Sequence, residues 1–306
     1  SVLKEKRVPT LKKQTIWNLC SGSLAALESI IMTMVVTRLI DLEAAGEITI
    51  AFALGNLFRT IGLWGIRNFH VSDRKYEYSF YDYQKTRFIS IFLMSLTVAI
   101  FIVYAIAIPH YTVEKIIVIA VIEIVFGIEC YEDVIWGEYQ RRGRIDIGAK
   151  LFLIRWGSFL SAFVISVILI KNLVISLLLS LALSFILFFI VLKYYFGIPK
   201  DDFIISDSGI ISLKQKGLLE KTSPLFIIAF LTFFLNNIAK YGIDYFYDDE
   251  TQAYFGFITL PMFVIEMVSG FIYQPKFANM SSLWLEGKVK QFIKEALKQI
   301  LYILLI

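Results

Sequence analysis

Two ionisable residues stand where charge is costly: Glu28 near the middle of one long apolar stretch and Arg59 near the middle of the next. A charge at a bilayer centre costs about 2.5–3.5 kcal/mol on insertion scales, so each needs a compensating role. Consecutive antiparallel spans bring their midpoints to one depth, where Glu28 and Arg59 either pair or both face a wet cavity. Asn56 lies one turn from Arg59 on the same helical face, which favours a polar lumen. Arg67, two turns on, extends Arg59 into a basic ladder. Guanidinium forks bind phosphate oxygens bidentately, so such a ladder suits a diphosphate.

A second group of charges lies in the fourth apolar stretch: Glu123, Glu129, Glu132 and Asp133. Glu129, Glu132 and Trp136 follow i, i+3, i+7 spacing and share one face. Glu132 and Asp133 are close enough to the stretch's end to be solvated, whereas Glu123 and Glu129 lie deeper. Deep carboxylates either carry protons or sodium or serve as partners for a buried cation, here Arg155 of the following stretch. Asn236, Asn237 and Lys240 cluster at the end of the seventh stretch, and Glu266 sits inside the eighth. Arg67, His70, Asp73 and Arg74 mark the inner end of the second. The residues expected to bind or move ions are therefore Glu28, Glu123, Glu129 and Glu266 on the acidic side and Arg59, Arg67 and Lys240 on the basic side.

The elements that must hold these groups are eight apolar stretches: Ile16–Thr37, Ile48–Phe69, Phe88–Ile108, Ile116–Gly137, Leu151–Ile170, Leu173–Leu192, Leu218–Ala239 and Tyr254–Tyr273. Each has roughly the 20 residues that a helix needs to cross a ~30 Å hydrocarbon core. Irregular backbone and open sheet edges cannot face lipid, so each is expected to be a helix, and the fold class all-α and polytopic. At 58% hydrophobic the chain exceeds the ~45–50% apolar usage of soluble domains, which excludes most soluble readings. Its net charge of +4 records which loops stay inside rather than an anionic partner such as nucleic acid. Cys20 and Cys130 both fall within spans, so neither a disulfide framework nor a zinc site is expected.

Alternate loops differ sharply in Lys and Arg. One side of the membrane collects 20 of them and the other only Arg38, Lys115, Lys171 and Lys240. The positive-inside bias therefore places the N-terminus in the cytoplasm. No outer loop is long enough for a catalytic domain. The largest inner connection reads as a linker (197–217), dividing a six-span lobe (1–196) from an incomplete second lobe (218–306). The final apolar residues 301–306 read as the start of a ninth span, so the chain is expected to be the front portion of a longer transporter or a truncated product. Spans one, two, seven and eight carry the polar residues and read as interior; three and six carry none of the charges and read as peripheral. Ser176, Ser180 and Ser184 in the sixth form a small-residue stripe for close helix packing. Trp17, Trp64, Trp136, Trp156 and Trp284 read chiefly as interfacial anchors, and His110 as an exposed loop residue. There is no Walker sequence, glycine-rich phosphate loop or metal-ligand spacing, so no cofactor is expected, and the energy source would be a proton or sodium gradient.

Two segments carry a resemblance. The first runs from Asn18 to Asp73 and includes Thr37-Arg38-Leu39, Ala44-Ala45-Gly46-Glu47 and Gly65-Ile66-Arg67-Asn68-Phe69-His70. The second runs from Asn236 to Pro275 and includes Lys240-Tyr241-Gly242-Ile243-Asp244, Leu260-Pro261-Met262-Phe263-Val264 and Gln274-Pro275. Together they resemble the Wzx-type oligosaccharide flippases of bacterial polysaccharide synthesis, within the multidrug/oligosaccharidyl-lipid/polysaccharide exporter superfamily. The resemblance implies two six-helix lobes around a cationic cavity, alternating access and no covalent catalysis. It implies undecaprenyl-diphosphate-linked oligosaccharide as cargo, the bacterial cytoplasmic membrane as location and other polysaccharide-assembly membrane proteins as neighbours. Arg38, Arg67 and Lys240 match basic positions of the family pattern; Arg59 is added from its depth. The competing expectations are a multidrug exporter of the same superfamily, whose cavity should be more acidic, and a polytopic polymerase or ligase, which should present a large outer loop.

The loop charges make the topology testable. A cysteine placed near Arg142 should react with an impermeant thiol reagent only from the cytoplasmic side, and one near Asp248 only from outside. Labelling of both from one side would overturn the eight-span topology.

Overall fold

Charge and turn chemistry punctuate a chain that is otherwise built to be helical. The computed structural model describes residues 11–73, 77–108, 111–195, 213–262, 265, 283 and 287–304, and the regular elements among them are all helices. They are α1 (Leu11–Leu39), α2 (Leu42–Leu63), α3 (Ile66–Ser72), α4 (Phe80–Ile106), α5 (Val113–Arg141), α6 (Ile145–Ile170), α7 (Leu173–Tyr195) and α8 (Leu213–Phe246). A helix over 249–262, α9, and α10 (Val289–Leu304) follow. Two units divide the chain after Ala253.

Local capping explains several boundaries. The Asp41 carboxylate accepts the Ala44 amide at the start of α2, Ser79 and Asp82 form a reciprocal capping box on α4, and Thr112 accepts the Lys115 amide on α5. Each satisfies an amide that the helix leaves without an internal partner. The break after α2 is of another kind. Trp64 (φ 45°) and Gly65 (φ 65°) both turn left-handed, and α3 leaves α2 at 43°. A Cβ at Gly65 would lie 2.7 Å from Leu225 Cβ, so the glycine meets both the left-handed turn and the close approach of α8. Trp64 tolerates its strained backbone because its indole stacks on Phe226 (4.1 Å, 7°) and donates to the Leu219 carbonyl.

Five helices are long and apolar enough to cross a membrane: Lys13–Leu39, Phe80–Ile106, Ile145–Ile170, Leu173–Ile190 and Leu213–Phe246. The bent pair α2 and α3 makes a sixth. This marks a membrane protein, with fewer apolar spans among the described residues than the eight expected of the whole chain. α5 has the length of a span, at 29 residues, yet its carboxylates, Lys115 and Arg141 make it too polar to qualify alone. The expected eighth stretch, Tyr254–Tyr273, lies largely outside the described residues, as does most of the linker 197–217. Residues 301–304 continue α10, a helix of 16 residues, rather than standing as a separate apolar segment.

The expected division into interior and peripheral spans is only partly met. The core of the first unit is α2 and α5: 16 of the 22 residues of α2 are buried, and α5 is surrounded by α2, α3, α4, α6 and α7. α4 and α7 do present exposed apolar side chains such as Phe92, Ile100, Val103, Ile186 and Phe189, as expected of lipid-facing helices. α8, expected to be interior, has only 11% of its span buried, because it touches α2, α3 and α4 along one edge and leaves Ile227, Ile228, Leu231 and Leu235 outside. Ser176, Ser180 and Ser184 are fully buried and form the close-packing stripe of α7. Trp156 is fully buried and Trp136 is 5% exposed, so these two are core residues and not interfacial anchors.

α2 enters the bundle so tightly that Gly46 admits no side chain. A Cβ there would stand 1.8 Å from the Asp249 carbonyl oxygen, a backbone atom that cannot swing aside. Gly46→Ala should therefore separate α2 from the start of α9 and lower the melting temperature of the detergent-solubilised protein by several degrees. The same change at Gly22, whose Cβ would meet nothing within 4 Å, should leave it unchanged.

Candidate functional site

The α5 carboxylates and the arginines of four other helices meet in one buried belt. At ~1.5 Å per residue Glu129 and Asp133 lie about 24 and 30 Å from the start of α5. That end of the bundle is called outer because the loop charges lead one to expect it outside. Arg59 of α2 donates to Glu129 (Nη1–Oε1 2.9 Å) and lies over the Phe126 ring. The second oxygen of Glu129 accepts the Trp156 indole N–H at 2.9 Å and faces Arg155 at 3.8 Å. Arg155 donates to Glu132 at 2.6 Å, with both side chains fully buried. Asp133 takes Arg87 on one oxygen (2.6 Å) and Arg67 on the other (3.1 Å), and Arg67 also reaches the Gln140 carbonyl oxygen at 2.8 Å. The shared face of Glu129, Glu132 and Trp136 is present and is turned toward α6, where Trp136 meets Phe152.

Four guanidiniums thus meet three α5 carboxylates directly. Glu28 of α1, 4% exposed, is the fourth acid at the belt, lying within electrostatic reach of Arg59, Arg155 and Glu129. It makes no ion pair with Arg59 among the described residues, and its Oε2 has no hydrogen-bond partner there. Of the two arrangements the sequence left open for Glu28 and Arg59, the direct pair is not formed; Arg59 pairs with Glu129 instead. Glu132 and Asp133, read from sequence as near enough the end to be solvated, are 0% and 6% exposed, because Arg155 and Arg87 cover them. Glu123 lies outside the belt, 4% exposed, with neither oxygen hydrogen-bonded among the described residues.

Arg87, one residue before the predicted third span, is the contributor that sequence reasoning missed. Its position looks like an ordinary inner-loop cation, yet it is 1% exposed. It also donates to the Gly62 carbonyl at 2.5 Å, and Ser90 donates to the same oxygen at 2.7 Å. Gly62 is in the last turn of α2, where carbonyls lose their helical partners, so the α2–α3 break creates the acceptor that holds Arg87.

A face running along α2 and α3 remains half open at Asn56, Arg59, Leu63 and Arg67, spaced three or four residues apart, while the rest of α2 from Ala45 onward is buried. Asn56 donates back to the Phe52 carbonyl (2.9 Å), leaving its amide oxygen available. Toward the outer end Lys240 is half-buried on α8 and has no ion-pair partner among the described residues; the neighbouring Tyr241 hydroxyl donates to the Ala53 carbonyl. Asn237 is half-buried, and Asn236 and Arg38 are exposed. The structure thus brings Asn56, Arg59, Arg67, Glu28 and Glu129 to one region. It leaves Arg38 at the end of α1 and Glu123 apart from them. Glu266 lies outside the described residues.

Both ends of α8 are tied to the helices beside it. At the outer end Lys115 bridges Asp244 (2.7 Å) and Asp249 (2.6 Å), and the Tyr111 hydroxyl donates to Asp244. An open cleft of about 330 Å³ lies there, lined by Glu43, Thr112, Lys115, Tyr247, Asp248, Asp249 and Glu250. The Thr251 hydroxyl and amide hold the Asp248 carboxyl below its ordinary range. At the inner end Gln215 donates to Asp82 and Lys221 pairs with Glu77. Beside that clamp, burial pushes the Asp73 carboxyl up. The Glu77 and Tyr78 amides and the Tyr83 hydroxyl outweigh this and hold it below its ordinary range. His70, fully buried, stacks on Tyr83 and bonds Glu138 at 2.9 Å.

Comparison with protein-family models, with curated proteins and with solved structures yields no match for this chain.

The belt predicts a strongly coupled pair of mutations. Arg155→Leu alone leaves Glu132 buried without its partner, which costs about 3–5 kcal/mol for a buried ion pair broken on one side. Arg155→Leu with Glu132→Leu should cost markedly less than the sum, measured as unfolding in mixed micelles. Additive losses would show that the two side chains act separately.

Proposed function

We propose that this chain is a flippase for a lipid-linked oligosaccharide, moving an undecaprenyl-diphosphate-linked glycan from the inner to the outer leaflet without covalent catalysis. The observation that carries this reading is the half-open polar face of α2 and α3, where Asn56, Arg59 and Arg67 line up inside the bundle. The resemblance of 18–73 and 236–275 to Wzx-type exporters supports it. The bacterial cytoplasmic membrane, with the N-terminus inside, is the location consistent with the loop charges.

The pairing of the arginines with carboxylates gives this reading a mechanism. Arg59 and Arg67 are held by Glu129 and Asp133 while their side chains stay 20% and 32% exposed. A diphosphate entering beside them offers oxygens of the same geometry as the carboxylates and competes for the same guanidinium forks. A carboxylate that loses its cation in a low-dielectric site must take up a proton or another cation, since a lone buried charge costs several kcal/mol. Glu129 and Glu28 stand at that exchange. Cargo binding and cation uptake would then be one event, and Lys240 would offer the next counter-charge toward the outer end.

A multidrug exporter of the same superfamily is the second reading. It is favoured by the carboxylates around the outer cleft, Glu43, Asp248, Asp249 and Glu250, and by the neutralisation of the ladder by α5. A polymerase or ligase has no such support.

Binding by the reconstituted protein, followed through tryptophan fluorescence, separates the two. A polyprenyl diphosphate should bind and the neutral polyprenol should not. Losing a charge-assisted hydrogen bond is worth about 1.5–3 kcal/mol, so Arg59→Ala and Arg67→Gln should each weaken diphosphate binding by roughly 10- to 100-fold. Arg67→Lys should weaken it less, because lysine keeps the charge and loses the fork. Binding of a lipophilic cation, undiminished by these changes and without diphosphate binding, would replace the flippase with the exporter.

A further inference from the structure

α10 has three distinct faces. Phe292, Glu295, Ala296 and Gln299, at i, i+3, i+4 and i+7, are covered, with Gln299 1% exposed. Beside them Val289, Ile293, Leu297 and Ile300 form an apolar stripe that is 44%, 50%, 61% and 53% exposed. Lys290, Lys294 and Lys298 follow one another at i, i+4 and i+8, all exposed. At about 100° per residue this lysine row flanks the apolar stripe on the side away from the covered face. No reading of the transported cargo accounts for this arrangement.

We propose that α10 lies in the plane of the membrane interface and docks on anionic phospholipid, its apolar stripe among the acyl chains and its lysines on the headgroup phosphates. Three observations converge on that occupant. An exposed apolar stripe beside a row of cations matches the layered chemistry of an anionic lipid surface, where lysine stems run along apolar surface and their heads reach the phosphates. Lys290, Lys294 and Lys298, one on every turn, would have to be buried if this stretch of α10 crossed the hydrocarbon core. The helix also belongs to a chain with several helices long and apolar enough to span a membrane, so covalent tethering alone keeps a bilayer surface at high effective concentration. A second copy of the chain is less suited, because its own lysine row would bring like charges to the contact. The proposal depends on membrane embedding and not on the flippase reading.

The test uses the whole chain reconstituted in phosphatidylcholine vesicles with or without phosphatidylglycerol. Single spin labels go at Ile293 and Leu297 on the apolar stripe and at Gln291 on the exposed polar side. With phosphatidylglycerol present, the labels at 293 and 297 should collide several-fold more with oxygen than with a water-soluble nickel chelate, at one common depth, and the label at 291 should show the reverse. Lys290→Glu with Lys294→Glu should move 293 and 297 toward the chelate while the melting temperature stays unchanged, as both positions are exposed. Depth that increases steadily from 291 to 297 would mean that α10 enters the core as a crossing, and would overturn the proposal. So would chelate access at all three positions in anionic vesicles, or spin–spin broadening at 293 and 297 from a second copy.

Discussion

The buried charge belt on α5 is the constraint to which the rest of the first unit answers. A helix bearing Glu123, Glu129, Glu132 and Asp133 cannot face lipid, and water cannot reach most of these groups once neighbours pack around them. Their positions are tolerable only where cations of other helices arrive at the same depth. Arg59, Arg67, Arg87 and Arg155 do so from α2, α3, α4 and α6. Such a network is weak evidence for stability, since its desolvation cost rivals its Coulomb gain. It does set which helix sits against which, because a slip by one turn would leave charges on both sides unpaired.

The same belt decides what the site can do. A ladder of free guanidiniums would bind any phosphate and hold it. Guanidiniums already occupied by carboxylates bind an anion only by exchange, which couples binding to the fate of the displaced acid. Trp156 holds the second oxygen of Glu129 and Arg155 stands 3.8 Å from it, so that acid has neighbours besides Arg59. Glu28 approaches from α1 without a direct partner. Charge on the belt is therefore nearly balanced and sensitive to one added anion or proton.

α8 stands against this core by two small clamps. The outer clamp is ionic and built around Lys115. The inner one combines the Trp64–Phe226 stack with the Gln215–Asp82 and Lys221–Glu77 contacts. Between them lies the half-open face of α2. On the proposed reading, alternating access would have to open these clamps in turn, and their different chemistry means that different changes would loosen each. The left-handed turn at Trp64 and Gly65 ties the inner clamp to the position of Arg67, just beyond it on α3.

From the sequence alone came the helical class, the membrane environment and the residues where charge would be expensive. These follow from local quantities, namely twenty-residue runs of apolar side chains and the spacing of polar ones along a helix. The face shared by Glu129, Glu132 and Trp136 and the serine stripe of α7 were legible for the same reason. The partners were not. Glu28 and Arg59 share a region, yet Arg59 turns to Glu129, and Arg87 looks like a loop cation until the α2 break supplies the Gly62 carbonyl. Which span is central was equally hidden: the charges of α5 disqualify it as an apolar membrane helix where α8 qualifies, while the bundle buries α5 and exposes α8. Periodicity records which residues share a helix face but not which helix that face meets, and pairing energies depend on that meeting. Tertiary packing decided it, because a buried carboxylate is stable only beside a cation and the fold must bring the two together.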